Sequence, residues 1–464
     1  IQNGDIWWHL ATGQYIVVHG SVPKHDIFSY TVAGRRWVTH EWLSELVFWG
    51  AYRAGGLRGL ILLRALLLGA ALLLVFLASA RHLGAYVAAP LTALAAYATT
   101  RSWLERPQLF TYLGVALFVF LLSKEAPTTR KAAARRFAPL VAATLLWANL
   151  HAGFASGVAL LGLWALGWGL FHRREPAWRI VLAASVAATF GSLAVALINP
   201  NGVGLLTYPF EYLRQPVYPK YVLDWQRTTF TNGPHAVAGA LLALALVGAA
   251  LTLRRSQGGP RLLWLLVFAA MAVSAKRHVP VAVLVATPLL AQAAALLGQR
   301  RPALGRCLQR LRVGAATKPG PIVYVLLGAA LVALLAKFPW DGSYRACVRP
   351  GQFPARCAAF LAERGYQANI LCPFNWGGYL IFTLYPACRV AIDPRPDVYG
   401  EELVALSWRL DGGPPDWERL VESQRPDLVV WYSDSRLIPL LAASGKWRLV
   451  YLDGTAAAFE RASQ

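Results

Sequence analysis

Two sets of side chains in this sequence have types suited to chemistry and positions that need explaining. The first is a group of carboxylates, Asp5, Asp26, Glu41 and Glu45, set among Trp7, Trp8, His9, Trp37, His40 and Trp42 within residues 1–55. They are nearly half of the nine acids in the first 340 residues, and a carboxylate at the level of a bilayer is costly unless it has a task or a partner. Tryptophans alone suit an interfacial amphipathic helix pair. That account leaves the acids unexplained, so a functional loop is favoured. The second set is cationic: Arg101, Arg106, Lys276 and Arg277, with His278 beside them. A carboxylate can take a proton from a hydroxyl, and a guanidinium can hold a phosphate through two parallel hydrogen bonds.

The chain that must position these groups belongs in a membrane. Its 464 residues are 56% hydrophobic and 15% charged, with 45 Lys+Arg against 23 Asp+Glu. An ordinary soluble domain is about 25% charged, so a typical cytosolic enzyme and a disordered chain are excluded. A net charge of +22 would suit nucleic acid only if the basic residues clustered on a soluble module. They lie instead in short loops between long uncharged stretches, which excludes a nucleic-acid partner. A crossing helix needs roughly 20 apolar residues, fewer where neighbours cover its ends. The candidate spans are 56–79, 83–100, 107–123, 138–150, 154–171, 180–198, 236–253, 262–275, 280–297 and 321–338, about ten in all.

Taken alternately, these spans sort the charge. One set of loops holds Arg81, then Lys124 to Arg136, Arg173 to Arg179, Arg254 to Arg261, and Arg300 to Lys318. Positive charge in short loops marks the cytoplasmic side, so the other set faces outward: residues 1–55, Arg101 to Arg106, the turn at His151, the loop 199–235, the turn Lys276 to His278, and everything after 338. The expected location is the cytoplasmic (inner) membrane, multi-pass, with the tail extracytoplasmic. The only methionine is Met271, and with residue 1 outside, at least one further span is expected to precede it. The fold class is therefore a polytopic α-helical membrane protein with a C-terminal soluble α/β domain. Its parts are a first external loop (1–55), a transmembrane domain (56–338) and the tail (339–464).

In the tail, 14 of the 23 acids lie at or beyond Asp341. Helical patterns at Pro354 to Gly365, Glu401 to Leu410, Asp416 to Ser423 and Arg436 to Ser444 alternate with strand patterns at Asn369 to Cys372, Arg389 to Asp393, Asp427 to Trp431, Trp447 to Asp453 and Ala457 to Arg461, as in a layered α/β domain. Trp376 to Tyr379 and Asp393 to Asp397 carry glycine and proline where tight turns are expected. Gly377-Gly378 lacks the spaced glycines of a dinucleotide loop. Cys347, Cys357, Cys372 and Cys388 share the outward tail, where disulfides can form. Cys372 with Cys388 is the preferred pair, and free buried thiols are the alternative.

The run Asp5-Ile-Trp-Trp-His-Leu-Ala-Thr-Gly13, with His19-Gly-Ser-Val-Pro23, Asp26-Ile-Phe-Ser29, Gly34-Arg-Arg-Trp37 and His40-Glu-Trp-Leu43, resembles the first external loop of bacterial polytopic proteins related to the GT-C membrane glycosyltransferases. Arg101 with Arg106-Pro107, Trp147-Ala-Asn-Leu-His151, Asn199-Pro-Asn-Gly202, Asp224-Trp225, Trp376-Gly-Gly-Tyr-Leu380 and Ile392-Asp-Pro-Arg-Pro-Asp397-Val-Tyr-Gly400 extend the likeness over most of the chain. The resemblance implies an enzyme that moves a sugar from a polyprenyl-phosphate carrier to an extracytoplasmic acceptor, whether glycan, lipid or protein, with membrane lipids around it. It also implies that Asp5, the early acid of the loop, is the catalytic base. Many relatives have a paired acidic motif there, whereas Asp5 is followed by Ile6.

With a phosphate oxygen as leaving atom, cations replace a general acid. The outward set Arg101, Arg106, Lys276 and Arg277 qualifies, and its structural account is helix capping or snorkelling. Asp26 or Glu41 could hold an acceptor hydroxyl or a divalent cation, or simply pair with Lys24, Arg35 or Arg36. His40 and His151 are candidate substrate contacts, although a single histidine at a span end is commonly structural, and the histidine spacing makes no metal site. Asp224 with Trp225 suits a sugar face, or a surface turn. The rival function is a non-catalytic membrane scaffold subunit of a larger assembly. A transporter is disfavoured by the scarcity of charge within the spans.

Overall fold

A computed structural model describes residues 1, 3–231, 233–253, 258–303, 305–307 and 347–462. It is mostly helical and divides into two compact units. Ile1–Ile61, Thr207–Val222 and Asp341–Gln464 form one; Leu62–Leu206 and Leu223–Trp340 form the other.

The second unit takes its membrane character from the helices expected of it. We number α1 Asp5–His19, α2 Trp42–Leu83, α3 Ala85–Thr99, α4 Gln108–Leu122, α5 Arg130–Leu150, α6 Phe154–Phe171, α7 Trp178–Ala196, α8 Val203–Leu213, α9 Val217–Tyr221, α10 Gly233–Leu251, α11 Gly258–Ser274 and α12 Val279–Gly298. Among the described residues five are long and apolar enough to cross a bilayer, namely α2, α6, α7, α10 and α12 with the turn before it. The expected count of ten is not confirmed among the described residues. Helices α3, α4 and α11 have 15, 15 and 17 residues, short of the roughly 20 that span the hydrocarbon. Helix α5 opens with Arg130, Lys131, Arg135 and Arg136. The expected span 321–338 lies outside the described residues.

Inside these helices the hydroxyls satisfy themselves. Ser79, Thr92, Thr144, Ser185, Thr189 and Thr287 each donate to the carbonyl four residues back at 2.7–2.9 Å, which removes the cost of an open polar group in hydrocarbon. The indole of Trp264 donates to the Leu160 carbonyl at 2.9 Å, fastening α11 to α6. Gly114 and Gly157 lie against the Trp147 ring, where an added Cβ would come within 2.6 and 2.8 Å of its carbons. Small residues there let α4 and α6 approach α5 closely.

The first unit is built on a mixed sheet. Strands β1 Asn369–Leu371, β2 Arg389–Val390, β3 Leu428–Tyr432, β4 Trp447–Leu452 and β5 Ala456–Arg461 lie in the order β2-β1-β3-β5-β4, parallel through β3 and antiparallel beyond. All five were expected, as were helices α13 Ala355–Glu363, α16 Glu401–Asp411, α17 Trp417–Ser423 and α18 Leu437–Ala443. The N-terminal loop extends the sheet at β2. Tyr30 donates its N–H to the Val390 carbonyl at 3.2 Å and Val390 donates to Phe28 at 3.4 Å. Trp7, Trp8 and Trp37 are buried in this unit, Trp7 edge-on to Tyr379 and Phe353. They are core rather than interfacial anchors.

Two expectations for the tail are corrected. Trp376 to Tyr379 is no turn; it lies inside helix α14, Phe374–Leu384. Its glycines serve close approach, since a Cβ on Gly377 would stand 1.9 Å from the Ile392 carbonyl and one on Gly378 would stand 2.9 Å from that of Gly4. The Cys372–Cys388 bridge does not form, and all four tail cysteines are buried outside any disulfide. In the parallel register Asn369 faces Arg389, which puts Cys388 opposite Ala368, four residues from Cys372. That is about 13 Å along the strand at ~3.3 Å per residue, beyond the ~7 Å that a disulfide spans. Cys372 donates instead to the Ile392 carbonyl and Cys388 to that of Tyr366.

Replacing Gly377 by alanine forces backbone apart rather than a flexible side chain. The expected loss is about 1–3 kcal/mol or more, read as a lowered midpoint in thermal unfolding of the detergent-solubilised chain. An unchanged midpoint would show that the α14 contact is looser than described.

Candidate functional site

Asp26, a candidate substrate residue, is committed elsewhere in the first unit. The turn after it gives its carboxylate the Ser29 N–H at 3.0 Å and the Ser29 hydroxyl at 2.5 Å. Its other oxygen accepts from Arg395 Nη2 at 2.8 Å. Arg395 also donates from Nε and Nη2 to the two oxygens of Asp393, at 2.7 and 2.5 Å, and Tyr399 donates its hydroxyl to Asp393. The guanidinium lies over Trp37 at 4.4 Å and Phe28 at 5.4 Å, with its side chain 1% exposed. Burial opposes its charge, but Asp393, Tyr399 and Asp26 outweigh burial and hold its pKa well above the usual arginine value. The partner of Asp26 is thus neither Lys24, Arg35 nor Arg36.

Beside this pair runs a chain of acids and imidazoles. Glu41 bridges two histidines, His40 Nε2 at 3.2 Å and His9 Nε2 at 3.8 Å, and His9 Nδ1 lies 3.4 Å from Glu45. The His40 ring packs on Tyr208 at 4.5 Å, and the Tyr208 hydroxyl donates to Asp397 at 3.3 Å. Burial works against the charge on His40, but Glu41, the Val38 carbonyl and Asp397 prevail and raise its pKa above the ordinary value. Asp397 is itself raised by burial, partly offset by His40. Asp5 stands in the first turn of α1, half-buried, where free N–H groups and the helix dipole favour negative charge. Its placement is set by Gly4, whose Cβ position lies 2.8 Å from the Asn375 carbonyl of α14.

The second unit gathers the expected cations at one end of its helices. Arg106 pairs with Asp224. Arg277 stacks over Trp225 at 4.4 Å. Lys276 holds the Gln226 side chain at 3.1 Å and donates its N–H to the Gln226 carbonyl. Tyr112 feels the charges of Arg277, Asp224 and Arg106 together, and His235 those of Arg101 and Lys276. Three separate stretches of sequence thus converge. Asp224 and Trp225 serve as partners of these cations. His151 is held at the α5–α6 junction. The Gly153 N–H donates to its Nδ1 at 2.9 Å, so Thr111, 2.7 Å away, must donate its hydroxyl there too, leaving its oxygen to accept from the Trp147 indole at 3.1 Å. Asn199 donates to Asn149 and to the Ala148 carbonyl nearby. Among the described residues no group of three or more His, Cys, Asp or Glu side chains is placed to hold a metal ion.

Arg395, Asp393 and Tyr399 entered the sequence reading only as part of a motif. An Asp-Pro-Arg-Pro-Asp run gives no sign of a partner 369 positions away. Tyr112 and Gln226 carried no signal at all.

No family model and no curated protein matches the sequence, whereas solved structures match the fold. The oligosaccharyltransferase of Archaeoglobus fulgidus, solved tethered to an acceptor peptide, superposes with a TM-score of 0.57 at 12% identity, over 100% of this chain and 70% of that one. ArnT from Cupriavidus metallidurans bound to undecaprenyl phosphate superposes with a TM-score of 0.54 at 16% identity, over 98% and 93%. Both are GT-C glycosyltransferases. This chain shares their fold. The likeness embraces both units, since the ArnT alignment leaves out only a few residues of this chain.

Two outcomes are expected from the first unit. Arg395→Met strands two buried carboxylates and costs about 3–5 kcal/mol. Arg395→Lys recovers only part of that loss, because an ammonium cannot reproduce the fork. Both are read by thermal unfolding. His40 has a folded pKa above its unfolded value of about 6.5, so its protonated form stabilises the fold fully below that pH and the contribution fades as pH rises through the raised value. The midpoint gap between wild type and His40→Gln should be widest near pH 6 and narrow by pH 9. A gap that widens with pH would refute the His40–Glu41 pairing.

Proposed function

We propose that the chain transfers a sugar from a polyprenyl-phosphate carrier to a hydroxyl-bearing extracytoplasmic acceptor, with inversion at the anomeric carbon. The observation that carries this reading is the convergence of Arg101, Arg106, Lys276 and Arg277 at one end of the second unit, in a fold shared with a protein crystallised with undecaprenyl phosphate. The positive-inside rule does not call for these cations. Anion binding does.

In this reaction the acceptor oxygen forms a bond to the anomeric carbon while the bond from that carbon to the phosphate oxygen breaks. The electron pair goes to the phosphate, which leaves as a monoester carrying one more negative charge. Arg106 and Arg277 meet that charge as it develops, the kind of stabilisation worth most in a site that excludes water. Asp224 and Trp225 hold the two guanidiniums in place. Asp5 takes the acceptor proton and passes it to water afterwards. The first turn of α1 suits the ionised carboxylate that a base must be.

The test is transfer from radiolabelled polyprenyl-phosphate sugars by the full chain in membranes. Asp5→Asn should lower the rate by about 10²–10⁴-fold, the usual worth of a general base, while the carrier still binds. Arg277→Ala should weaken carrier binding as well. Equal transfer by wild type and Asp5→Asn would remove Asp5 as base, and no transfer by wild type across the common sugars would favour the scaffold reading.

A further inference from the structure

Helices α5 and α7 of the second unit line an open groove of about 940 Å³, a size found in ligand sites, which run to about 300–1,000 Å³. Its lining is apolar and rich in small residues, with Ala138, Ala142, Ala184 and Gly191 beside Phe137 and Val141. The two exceptions are Arg130 and Arg179, and no acid lines the groove. Arg130 opens α5 and Arg179 is the second residue of α7, so both cations stand at the same end, where two helix N-termini also present free N–H groups. The Asn149–Asn199 contact marks the opposite ends of these helices. The groove is therefore remote from the cations assigned to the carrier phosphate.

The depth of the groove identifies its occupant. From Arg130 to Val141 is eleven residues and from Arg179 to Gly191 twelve, about 17 and 18 Å at ~1.5 Å per residue. One leaflet of hydrocarbon is about 15 Å deep, half of roughly 30 Å. A cationic end followed by one leaflet of apolar wall complements an anionic headgroup followed by one acyl chain. We propose that this groove holds an anionic glycerophospholipid from the leaflet facing the arginine-rich loops, with its phosphate on Arg130 and Arg179 and one acyl chain lying along the seam where α5 and α7 meet. The two helices pack directly there, Thr144 donating to Ser192 at 3.2 Å, and the bound lipid covers the shallow channel that their alanines leave.

Native mass spectrometry of the full chain in detergent, titrated with phosphatidylglycerol or phosphatidylcholine of matched chains, tests this. Wild type should retain one phosphatidylglycerol in preference to phosphatidylcholine. Arg130→Gln with Arg179→Gln should weaken phosphatidylglycerol about 30-fold, the scale of two cationic contacts at a membrane surface, and leave phosphatidylcholine unchanged. Ala187→Phe, at an exposed lining position, should fill the groove and weaken both lipids without loss of fold. The proposal is overturned if Arg173→Gln with Arg174→Gln, which removes equal charge outside the groove, weakens phosphatidylglycerol as much. It is also overturned if Ala187→Phe retains the lipid, or if a polyprenyl phosphate displaces phosphatidylglycerol at equal concentration.

Discussion

The first unit depends on one guanidinium. Arg395 is held by Asp393 two residues away and by Asp26 from the N-terminal loop, and aromatic faces of Trp37 and Phe28 close over it. A buried ion pair adds little net stability compared with apolar residues of the same shape, but it is intolerant of a missing partner. Its value is specification. Only the arrangement that brings Asp26 to Arg395 gives both buried carboxylates a cationic partner, and the same unit aligns the loop with the edge of β2 and seats Trp7 and Trp8 in the core.

The second unit follows another constraint, the lack of water around its helices. Hydroxyls bond within their own helix and glycines admit aromatic rings, so the apolar spans present no unmet polar groups at those points. Most charge lies towards the ends, with Arg64 inside α2 paired to Glu105. At one end Arg106, Arg277 and Lys276 are steadied by Asp224, Trp225 and Gln226. That steadying is what turns scattered span-end cations into a site able to meet a phosphate.

Much of the tail was legible because period-2 and period-3.6 patterns are local properties. Each of the five strands and four of the helices lie where hydrophobic spacing places them. Helix α14 was not legible, since Gly377 and Gly378 have the look of a turn until the Ile392 and Gly4 carbonyls are seen against them. The cysteine pairing failed for a similar reason. Cys372 with Cys388 was the preferred pair, and the parallel register separates them.

What the sequence determined by itself is set by solvent and by short range. Charge and hydropathy required a membrane protein with positive loops and a mixed tail, and clustered motifs pointed to the GT-C fold. Tertiary structure decided which partners these side chains meet, because whether a carboxylate meets a guanidinium hundreds of residues away depends on packing rather than on neighbours in the chain. Asp26 belongs to Arg395, His151 to Thr111 and Gly153, and Glu41 to His40 and His9. Arg106 and Arg277, which sequence could only count, meet Asp224 and Trp225 because folding brings three distant stretches of the chain together.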